Sequence, residues 1–386
     1  MNRPTRRRFL KRTALLTSTA VAAPWIQVSA APRSRVLGTK VISQRPEAYY
    51  GWPTIVRRQN GQLLVVSSGG REAHVCPFGR VEIQRSDDDG ATWSWPRVLL
   101  DGPIDDRDAG ICETSRGTLL VTSFSSLAYE ATLQRAEEKG EWPADRLSRW
   151  RSAHRRASAE ERKRALGVWV IRSTDGGVTW SRRRDALVNS PHGPVQLADG
   201  RLLYAGVELW RPGRRVGVCQ STDDGETWSW LAAIPVRPGD EGKNYHELHA
   251  VESAKGRLIV QIRNHNTKND RETLQTESTD GGKTWSVPSP IDVWGLPSHL
   301  LRLRDGRLLM SYGYRRRPFG NLARVSDDGG RTWSEPLTIS ADGSSGDLGY
   351  PSTVELTDGT LLSVWYERMK ASPYAVLRQA LWRIEA

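Results

Sequence analysis

The amino-acid sequence predicts an all-β protein, a six-bladed β-propeller with a helical insertion in blade two. The first observation is an eight-residue motif, Ser-x-Asp-x-Gly-x-Thr-Trp, called the Asp motif below, which occurs five times. The second is a Gly-x-Leu-Leu or Gly-x-Leu-Ile turn, called the Gly-Leu turn, which occurs six times and alternates with it. Repetition of this fidelity predicts a single domain of repeated four-stranded units.

The Asp motif has the composition of a tight turn at the tip of a β-hairpin. Its Asp carboxylate can accept backbone N–H bonds from the residues that follow, and its Gly supplies a positive φ. Its Trp then enters the next strand as an apolar anchor. A calcium loop is the weaker interpretation, because such loops need more oxygen ligands and a terminal Glu. The five copies are Ser86–Trp93, Ser173–Trp180, Ser221–Trp228, Ser278–Trp285 and Ser326–Trp333.

The Gly-Leu turn precedes the second strand of each unit. Its six copies contain Gly61, Gly117, Gly200, Gly256, Gly306 and Gly359. The last copy is followed only by a closing strand, roughly 375–384. Residues near 36–42 are expected to pair with the last blade and to close the ring, which removes two exposed sheet edges.

Two segments depart from the repeat. Residues 1–30 contain Arg6-Arg7-Arg8-Phe9-Leu10-Lys11 and a short apolar run, which predicts a twin-arginine signal peptide and a periplasmic or secreted protein with no stable membrane span. Residues 31–386 form the predicted propeller. Within it, residues 127–166 are rich in Ala, Glu, Arg and Lys and predict one or two helices on blade two. They form either a solvated decoration or a lid over one face.

Charge and cysteine content narrow the class of ligand. The net charge of +12 falls to +6 without residues 1–30, which carry six basic residues and no acidic ones. This modest charge does not indicate nucleic-acid binding, but it suits an acidic carbohydrate. Cys76, Cys112 and Cys219 show neither a disulfide framework nor a metal-site spacing. One disulfide or buried thiols both remain open, and no cofactor is expected.

The innermost strands of a propeller begin around its central axis, here just upstream of the Gly-Leu turns. Polar, aromatic and ionisable groups recur in those segments, which predicts a pocket for a glycan or a small acid. The segments are Tyr50-Gly51-Trp52-Pro53, Asp105-Asp106-Arg107-Asp108, Pro191-His192-Gly193, Tyr245-His246-Glu247-Leu248-His249, Pro297-Ser298-His299 and Gly349-Tyr350-Pro351.

The Asp motifs, the six blades and several of these axial residues resemble the sialidases (neuraminidases) over essentially all of residues 31–386. Asp motifs also occur in many other propellers, so they indicate the fold rather than the reaction. The resemblance implies three arginines that hold a substrate carboxylate, a Tyr nucleophile activated by a Glu, and an Asp acid/base.

The resemblance is carried residue by residue. Glu247 matches the activating Glu, and Arg263 matches the second arginine. Arg317 lies where the third arginine is expected, although Arg315 and Arg316 are rivals. Tyr350 matches the nucleophile of the family. It precedes the turn at Asp358-Gly359, and the family's Tyr-Glu pair follows it within Trp365-Tyr366-Glu367. A tyrosine is a weak nucleophile until a neighbouring base takes its proton, and Glu247 is the obvious base.

Two positions depart from the family pattern. Gly51 occupies the place of the first arginine, and the loop 69–79, where the acid/base Asp is expected, contains none. His74 in that loop is the candidate acid/base, since the pKa of histidine suits proton transfer near neutral pH. Arg71 is the candidate replacement for the arginine, and Arg107 is another.

Other axial residues complete the predicted site. An Asp of the segment 105–108 is a second candidate acid, and Asp108, His192 and His299 are candidate contacts to the substrate. Four histidines on three blades also suggest a metal, but we expect hydrogen bonds to sugar hydroxyls and no metal.

The favoured function is an exported sialidase-superfamily glycoside hydrolase, exo-alpha-sialidase-like, acting on an acidic sugar. One alternative is a uronic-acid glycan hydrolase or lyase with His as acid/base. The other is a non-catalytic glycan-binding propeller.

Overall fold

The chain folds into a ring of six antiparallel sheets, which confirms the predicted six-bladed β-propeller. The computed structural model describes residue 1 and residues 31–385 except 46, 255 and 268–271, so the predicted signal peptide lies outside the described residues apart from Met1. In the described residues each blade has four strands. Blade one contains β2 (Tyr49–Arg57), β3 (Leu63–Arg71), β4 (Arg80–Ser86) and β5 (Arg97–Leu100); blade two β6 (Asp105–Glu113), β7 (Leu119–Ser126), β8 (Gly167–Ser173) and β9 (Arg184–Asp185); blade three β10 (Val195–Gln196), β11 (Leu202–Val207), β12 (Val216–Ser221) and β13 (Ser229–Ala233); blade four β14 (Tyr245–Ala254), β15 (Arg257–Asn264), β16 (Glu272–Ser278) and β17 (Ser289–Trp294); blade five β18 (Leu296–Arg302), β19 (Leu308–Tyr314), β20 (Phe319–Ser326) and β21 (Leu337–Gly343); blade six β22 (Leu348–Glu355), β23 (Leu361–Arg368), β24 (Ala375–Glu385) and, from the start of the chain, β1 (Arg33–Val41).

The apolar core is divided among the joints between neighbouring blades. Six clusters of buried side chains each combine residues from two successive blades. Strand β1 pairs with β24 from Arg33 opposite Glu385 to Val41 opposite Arg378, so the expected closure of the ring by the first strand is confirmed. At the joint of blades six and one, the Trp93 indole donates to Gln379 Oε1 at 2.7 Å. Because the apolar clusters lie between the blades, the innermost strands can carry polar side chains at the centre of the ring.

The Asp motifs lie between the third and fourth strands of blades one to five, as predicted, and each is held by its own side chains. In the first copy, Ser86 Oγ donates to Asp88 at 2.7 Å, and the Gly90 N–H donates to Ser86 Oγ at 2.9 Å. The Thr92 backbone N–H and hydroxyl both donate to Asp88, at 2.8 and 2.6 Å. Gly90 has φ +83°, a conformation that disfavours a side chain.

These motifs should make the stability of the protein fall in acid. Hydrogen bonds from Thr92 and Ser86 lower the pKa of Asp88 to about 2, whereas an unfolded Asp titrates near ~4. The ionised form therefore stabilises the fold above about pH 4, and this contribution is lost as the pH falls through about 2. We expect the thermal midpoint to drop below pH 4, and the drop to be smaller in Asp88→Asn, which does not titrate. Thermal scans from pH 2 to 7 measure this, and an identical acid limb in both proteins would contradict it.

Three helices occupy residues 127–166, between β7 and β8: α1 (Ala128–Lys139), α2 (Ala144–Arg155) and α3 (Ala159–Ala165). One or two helices were predicted. Their apolar side chains do not face blade two alone, because Tyr129 and Trp150 pack with Cys76 and Ile104 of blade one and its exit loop. The Trp150 indole also donates to Glu72 at 3.0 Å. The insertion thus packs against the loop that carries His74 and supports it.

All three cysteines are free thiols, with Cys76 and Cys219 buried. Across the described part of the chain, no helix has the length and apolarity needed to cross a membrane.

Candidate active site

The innermost strands bulge where they reach the axis, and the bulges place the site residues. Trp52, Asp108, Glu247 and Tyr350 have φ values of +52°, +46°, +34° and +55°, and each lies at a register shift of its strand. A left-handed conformation is costly for a residue with a side chain, and residues held in such conformations cluster at functional sites. A bulge also re-aims the side chain that it carries. Four blades thus use the same distortion to direct a large polar or aromatic group toward the axis.

Tyr350, Glu247 and Arg263 form one contact group, as the sequence predicted. The Tyr350 hydroxyl donates to Glu247 Oε1, and Arg263 Nη1 donates to Glu247 Oε2. Arg263 Nη1 also donates to the Tyr350 oxygen at 3.0 Å. Burial and the nearby Glu247 carboxylate raise the pKa of Tyr350 well above 10. Burial acts to raise the pKa of Glu247, but Arg263 and the Tyr350 hydrogen bond outweigh it and the pKa is lowered. A neutral phenol therefore faces an ionised carboxylate.

Two of the arginines predicted to bind the substrate, Arg71 and Arg317, make other contacts in the structure. Arg71 is buried and pairs with both oxygens of Asp105, at 2.6 and 2.9 Å. Its remaining donors are bonded to Ser68 Oγ and to the carbonyls of Ala73 and His74. Its guanidinium thus has no donor left for a substrate carboxylate, and it braces the His74 loop instead.

Arg315, not Arg317, is the arginine beside Tyr350. Arg317 is exposed, with its guanidinium 5.3 Å from the Phe319 ring. Arg316 stacks on Trp294 at 3.8 Å. The Arg315 guanidinium instead donates to the Tyr366 hydroxyl at 3.0 Å and to the Leu348 carbonyl at 2.8 Å.

Arg107 is the further arginine of the pocket. Its guanidinium lies 4.2 Å from the centre of the Trp52 ring and 3.7 Å from Asp105. Within the described residues, Arg107 Nε and Arg263 Nε are both buried without a hydrogen-bond partner. Arg107, Arg263 and Arg315 are therefore, among the described residues, candidate cations for a bound anion.

Asp108 lies next to this group in a small cavity. The cavity has a volume of about 100 Å³ and is lined by residues that include Asp108, Asn189, Arg214, His246 and Glu247. Burial is the largest influence on Asp108 and raises its pKa to about 7, against the opposing charge of Arg107. In the described structure, Asp108 Oδ1 is buried and has no hydrogen-bond partner. The Asp108 carboxyl can therefore hold a proton near neutral pH.

His74 lies on the same face of the ring as Tyr350. Its ring is 4.9 Å from Trp52 and 6.4 Å from Tyr366, and these rings are 6.4 and 5.9 Å from Tyr350. His74 Nδ1 lies 2.8 Å from the Tyr49 hydroxyl and 3.3 Å from Asp347 Oδ1. Partial burial of the ring lowers the pKa of His74, against the hydrogen bond with Asp347.

Asp347 and Tyr49 are site residues that sequence reasoning missed. Asp347 directly precedes β22, in a loop whose length the repeats do not fix. Tyr49 lies one residue upstream of the axial segment identified in blade one. For Asp347 the available signal was an ionisable residue immediately before an innermost strand; for Tyr49 it was a tyrosine at the first position of one.

His192 and His299 were predicted to contact substrate, but they lie elsewhere in the channel. With His249 they form a buried cluster whose ring centres are 4.7 to 5.4 Å apart. The cluster lines a separate cavity of about 470 Å³, together with Arg57 and Arg302 from the far ends of the innermost strands.

The hydrogen bonds of this cluster set its protonation. His249 Nδ1 accepts the Leu300 N–H at 2.9 Å, and His299 Nδ1 accepts the Thr353 N–H at 3.4 Å. Both imidazoles therefore carry their proton on Nε2, which makes that nitrogen a donor rather than a metal ligand. Among the described residues, no group of three or more His, Cys, Asp or Glu has the arrangement of a metal site.

Glu367, which follows the nucleophile segment, is buried and links its own strand, β23, to β24 through hydrogen bonds. It accepts hydrogen bonds from the Trp365 indole at 2.9 Å and from Arg378 at 3.0 Å.

Solved structures similar to this chain share its fold. A protein of unknown function from Dyadobacter fermentans superposes with a TM-score of 0.73 at 23% identity, covering 91% of this chain and 99% of the other. A single-residue mutant of the NanB sialidase from Streptococcus pneumoniae has a TM-score of 0.63 at 15% identity, covering 86% of this chain and 68% of the other. The intramolecular trans-sialidase from Ruminococcus gnavus has a TM-score of 0.60 at 14% identity, covering 91% and 96%. At these identities the likeness establishes the fold alone.

No curated protein matches the chain. A family model described as a BNR repeat-like domain matches residues 140–362, which is more than half of the sequence. That match agrees with the six blades, the five Asp motifs and the sialidase folds above. The chain belongs to the BNR repeat-like domain family, and its fold is the six-bladed propeller that the solved sialidases share.

Proposed function

We propose that the protein is an exported glycoside hydrolase, exo-alpha-sialidase-like, that acts on an acidic sugar. The observation that carries the proposal is the contact group of Tyr350, Glu247 and Arg263. A phenol bonded to an ionised carboxylate is an activated nucleophile, because the carboxylate can take the proton as the oxygen attacks. Export rests on the Arg6-Arg7-Arg8-Phe9 pattern.

The reaction would proceed in two steps. The Tyr350 oxygen attacks the anomeric carbon while its proton passes to Glu247. The bond from that carbon to the leaving oxygen breaks, and Asp108, or His74 if its Nε2 has first been protonated, gives the leaving oxygen a proton. Water then attacks the anomeric carbon and gives its proton to the same acid/base residue, the bond from that carbon to the Tyr350 oxygen breaks, and Tyr350 recovers its proton from Glu247.

Arg107, Arg263 and Arg315 would hold the carboxylate of the sugar. A guanidinium binds a carboxylate through parallel N–H donors, and burial strengthens the pairing. A neutral nucleophile suits this substrate, since an ionised carboxylate nucleophile would repel the negative charge of the sugar. The three arginines and the neutral Tyr350 nucleophile thus both suit a sugar that carries a carboxylate.

The raised pKa of Asp108 gives a pH prediction. With Asp108 as the acid, kcat/KM should fall above about pH 7, where the carboxyl loses its proton. In Asp108→Asn the basic limb near pH 7 should vanish, and kcat should fall by about 10² to 10⁴-fold on a natural linkage. The loss should be much smaller on a fluorogenic glycoside, whose leaving group needs little protonation. Equal losses on both substrates would assign the acid to another group.

One observation favours the alternative of a uronic-acid glycan lyase. His74 Nδ1 is bonded to Tyr49 and Asp347, while Nε2 has no hydrogen bond to the described residues. Such a histidine could take the proton at C5 of a uronate whose carboxylate the arginines neutralise. The C4–O bond would then break, and a C4=C5 double bond would form in the product.

Assays on two substrate panels test these functions. Release of sialic acid from a fluorogenic sialoside, lost in Tyr350→Phe, is the expected result. Turnover of uronic-acid glycans that depends on His74, with an ultraviolet-absorbing unsaturated product, would replace the proposal with the lyase. Glycan binding without turnover on either panel would leave a non-catalytic binding propeller.

A further inference from the structure

Asp347 is the centre of a hydrogen-bond network that joins blade six to blade one, where the ring closes. The Tyr49 hydroxyl, on β2, lies 2.9 and 3.1 Å from the two oxygens of Asp347. The Tyr366 hydroxyl, on β23, donates to Asp347 Oδ1 at 3.2 Å. His74 Nδ1 lies 3.3 Å from the same oxygen. Burial opposes ionisation of Asp347, but the hydrogen bonds from His74 and the two tyrosines outweigh it and its pKa is lowered.

The hydrogen bonds assign the proton on His74. An ionised Asp347 accepts only, so the single Tyr49 hydroxyl proton is committed to it. The Tyr49 oxygen therefore faces His74 Nδ1, 2.8 Å away, as an acceptor. Both neighbours of Nδ1 are thus acceptors, and Nδ1 carries the proton. In the neutral ring, Nε2 is then left with a lone pair.

We propose that Asp347 is a positioning residue, which with Tyr49 holds His74 in the Nδ1–H tautomer so that Nε2 serves as a base in the pocket. The inference rests on the proposed function only in taking this pocket as the active site. Asp347 would fix the orientation of the ring and stabilise the imidazolium that forms when Nε2 accepts a proton, as a carboxylate does for a catalytic histidine. It does not touch the substrate itself.

The other groups around His74 set the conditions for this role. Tyr49 faces it from β2, Tyr366 from β23, and Asp347 from the loop before β22. The cations Arg107 of β6 and Arg71 of β3 disfavour a charged imidazole. Without the Asp347 carboxylate, the opposition of these two cations would no longer be offset by it, and His74 would bind a proton less readily.

The loop that carries His74 is held from behind, which keeps the ring in place. Arg71 donates to the His74 carbonyl at 2.9 Å. Glu72 accepts hydrogen bonds from Arg149 at 2.9 Å and from Trp150 at 3.0 Å, both on α2. The insertion therefore supports the position that the network requires.

Side-chain nitrogen NMR of the full chain tests the inference without any substrate. His74 is assigned by comparison with His74→Gln. We expect the wild-type ring to carry its neutral-state proton on Nδ1, and Asp347→Asn to lower the pKa of His74 by about one unit. Asp342→Asn is the matched control, because Asp342, on β21, pairs with Arg378 on β24 and not with the network. A proton on Nε2 in the wild type, or an unchanged titration in Asp347→Asn, would overturn the proposal.

Kinetics separate positioning from a purely structural role. On whichever panel substrate the wild type turns over, Asp347→Asn should lower kcat about tenfold or more, leave KM within about twofold, and move the acid limb to lower pH. Asp347→Glu should recover part of the activity. If the wild type turns over neither panel, the proposed function fails while the NMR result still decides the proton on His74. Turnover with an unaltered pH profile in Asp347→Asn would reject the positioning role alone.

Discussion

Tyr350→Phe is expected to lower kcat on the order of 10³-fold or more, because it removes the atom that forms the covalent intermediate. The substitution deletes one oxygen from a buried ring and should leave the fold intact. What it removes is the hydroxyl that donates to Glu247 and accepts from Arg263. Initial rates on the panel substrate, with thermal unfolding as the check on folding, measure the effect.

Two further variants sharpen this result. Tyr312→Phe is the matched control, since Tyr312 is a buried tyrosine in the core between blades four and five; its kcat should stay close to that of the wild type. Glu247→Gln should be about as damaging as Tyr350→Phe. The double variant should be little worse than either, because the two residues act as one unit. Tyr350→Phe with more than about a tenth of the wild-type kcat would reject Tyr350 as the nucleophile.

Asp105→Ala is expected to destabilise the protein by about 3–5 kcal/mol, the usual cost of removing one partner of a buried ion pair. Both side chains of the Arg71–Asp105 pair are fully buried. The substitution would leave the Arg71 guanidinium without a counter-ion between blades one and two. The free energy of unfolding, from urea titrations followed by fluorescence, provides the measurement.

An exposed pair supplies the comparison. Asp358 pairs with Arg383 at 2.8 Å, with about half or more of each side chain exposed, and Asp358→Ala should cost less than about 1 kcal/mol. The double variant Arg71→Met/Asp105→Leu should be less destabilised than Asp105→Ala, since it removes the buried Arg71 charge together with its partner. Equal losses for Asp105→Ala and Asp358→Ala would show that the buried pair has no special weight.

The blades were predictable from the sequence because the interactions that specify them are local. The bonds of the Asp motif from Ser86 to Thr92 span at most four residues, so every copy repeats them. The Gly-Leu turns then place the innermost strands in register. That register placed Tyr350 and Glu247 at the axis, and the resemblance to the sialidases added Arg263 to the predicted group.

The errors arose where side-chain direction depends on distant partners. Arg71 is taken up by Asp105, which lies on the next blade and 34 residues away. Arg315 and Arg317 lie beyond the end of β19, where the alternation of a strand no longer fixes which side chain faces the axis. Asp347 meets Tyr49, 298 residues away, only because the ring closes. A repeat pattern contains no information about such contacts.

Trapping the covalent intermediate tests the central claim most directly. An activated glycosyl fluoride of the acidic sugar, with a second fluorine beside the anomeric carbon to slow hydrolysis, is incubated with the protein. The digest is then analysed by peptide mass spectrometry. The account predicts one sugar on the peptide that contains Tyr350, and none in Tyr350→Phe. A substrate that is turned over while the sugar attaches to another residue, or to none, would contradict it.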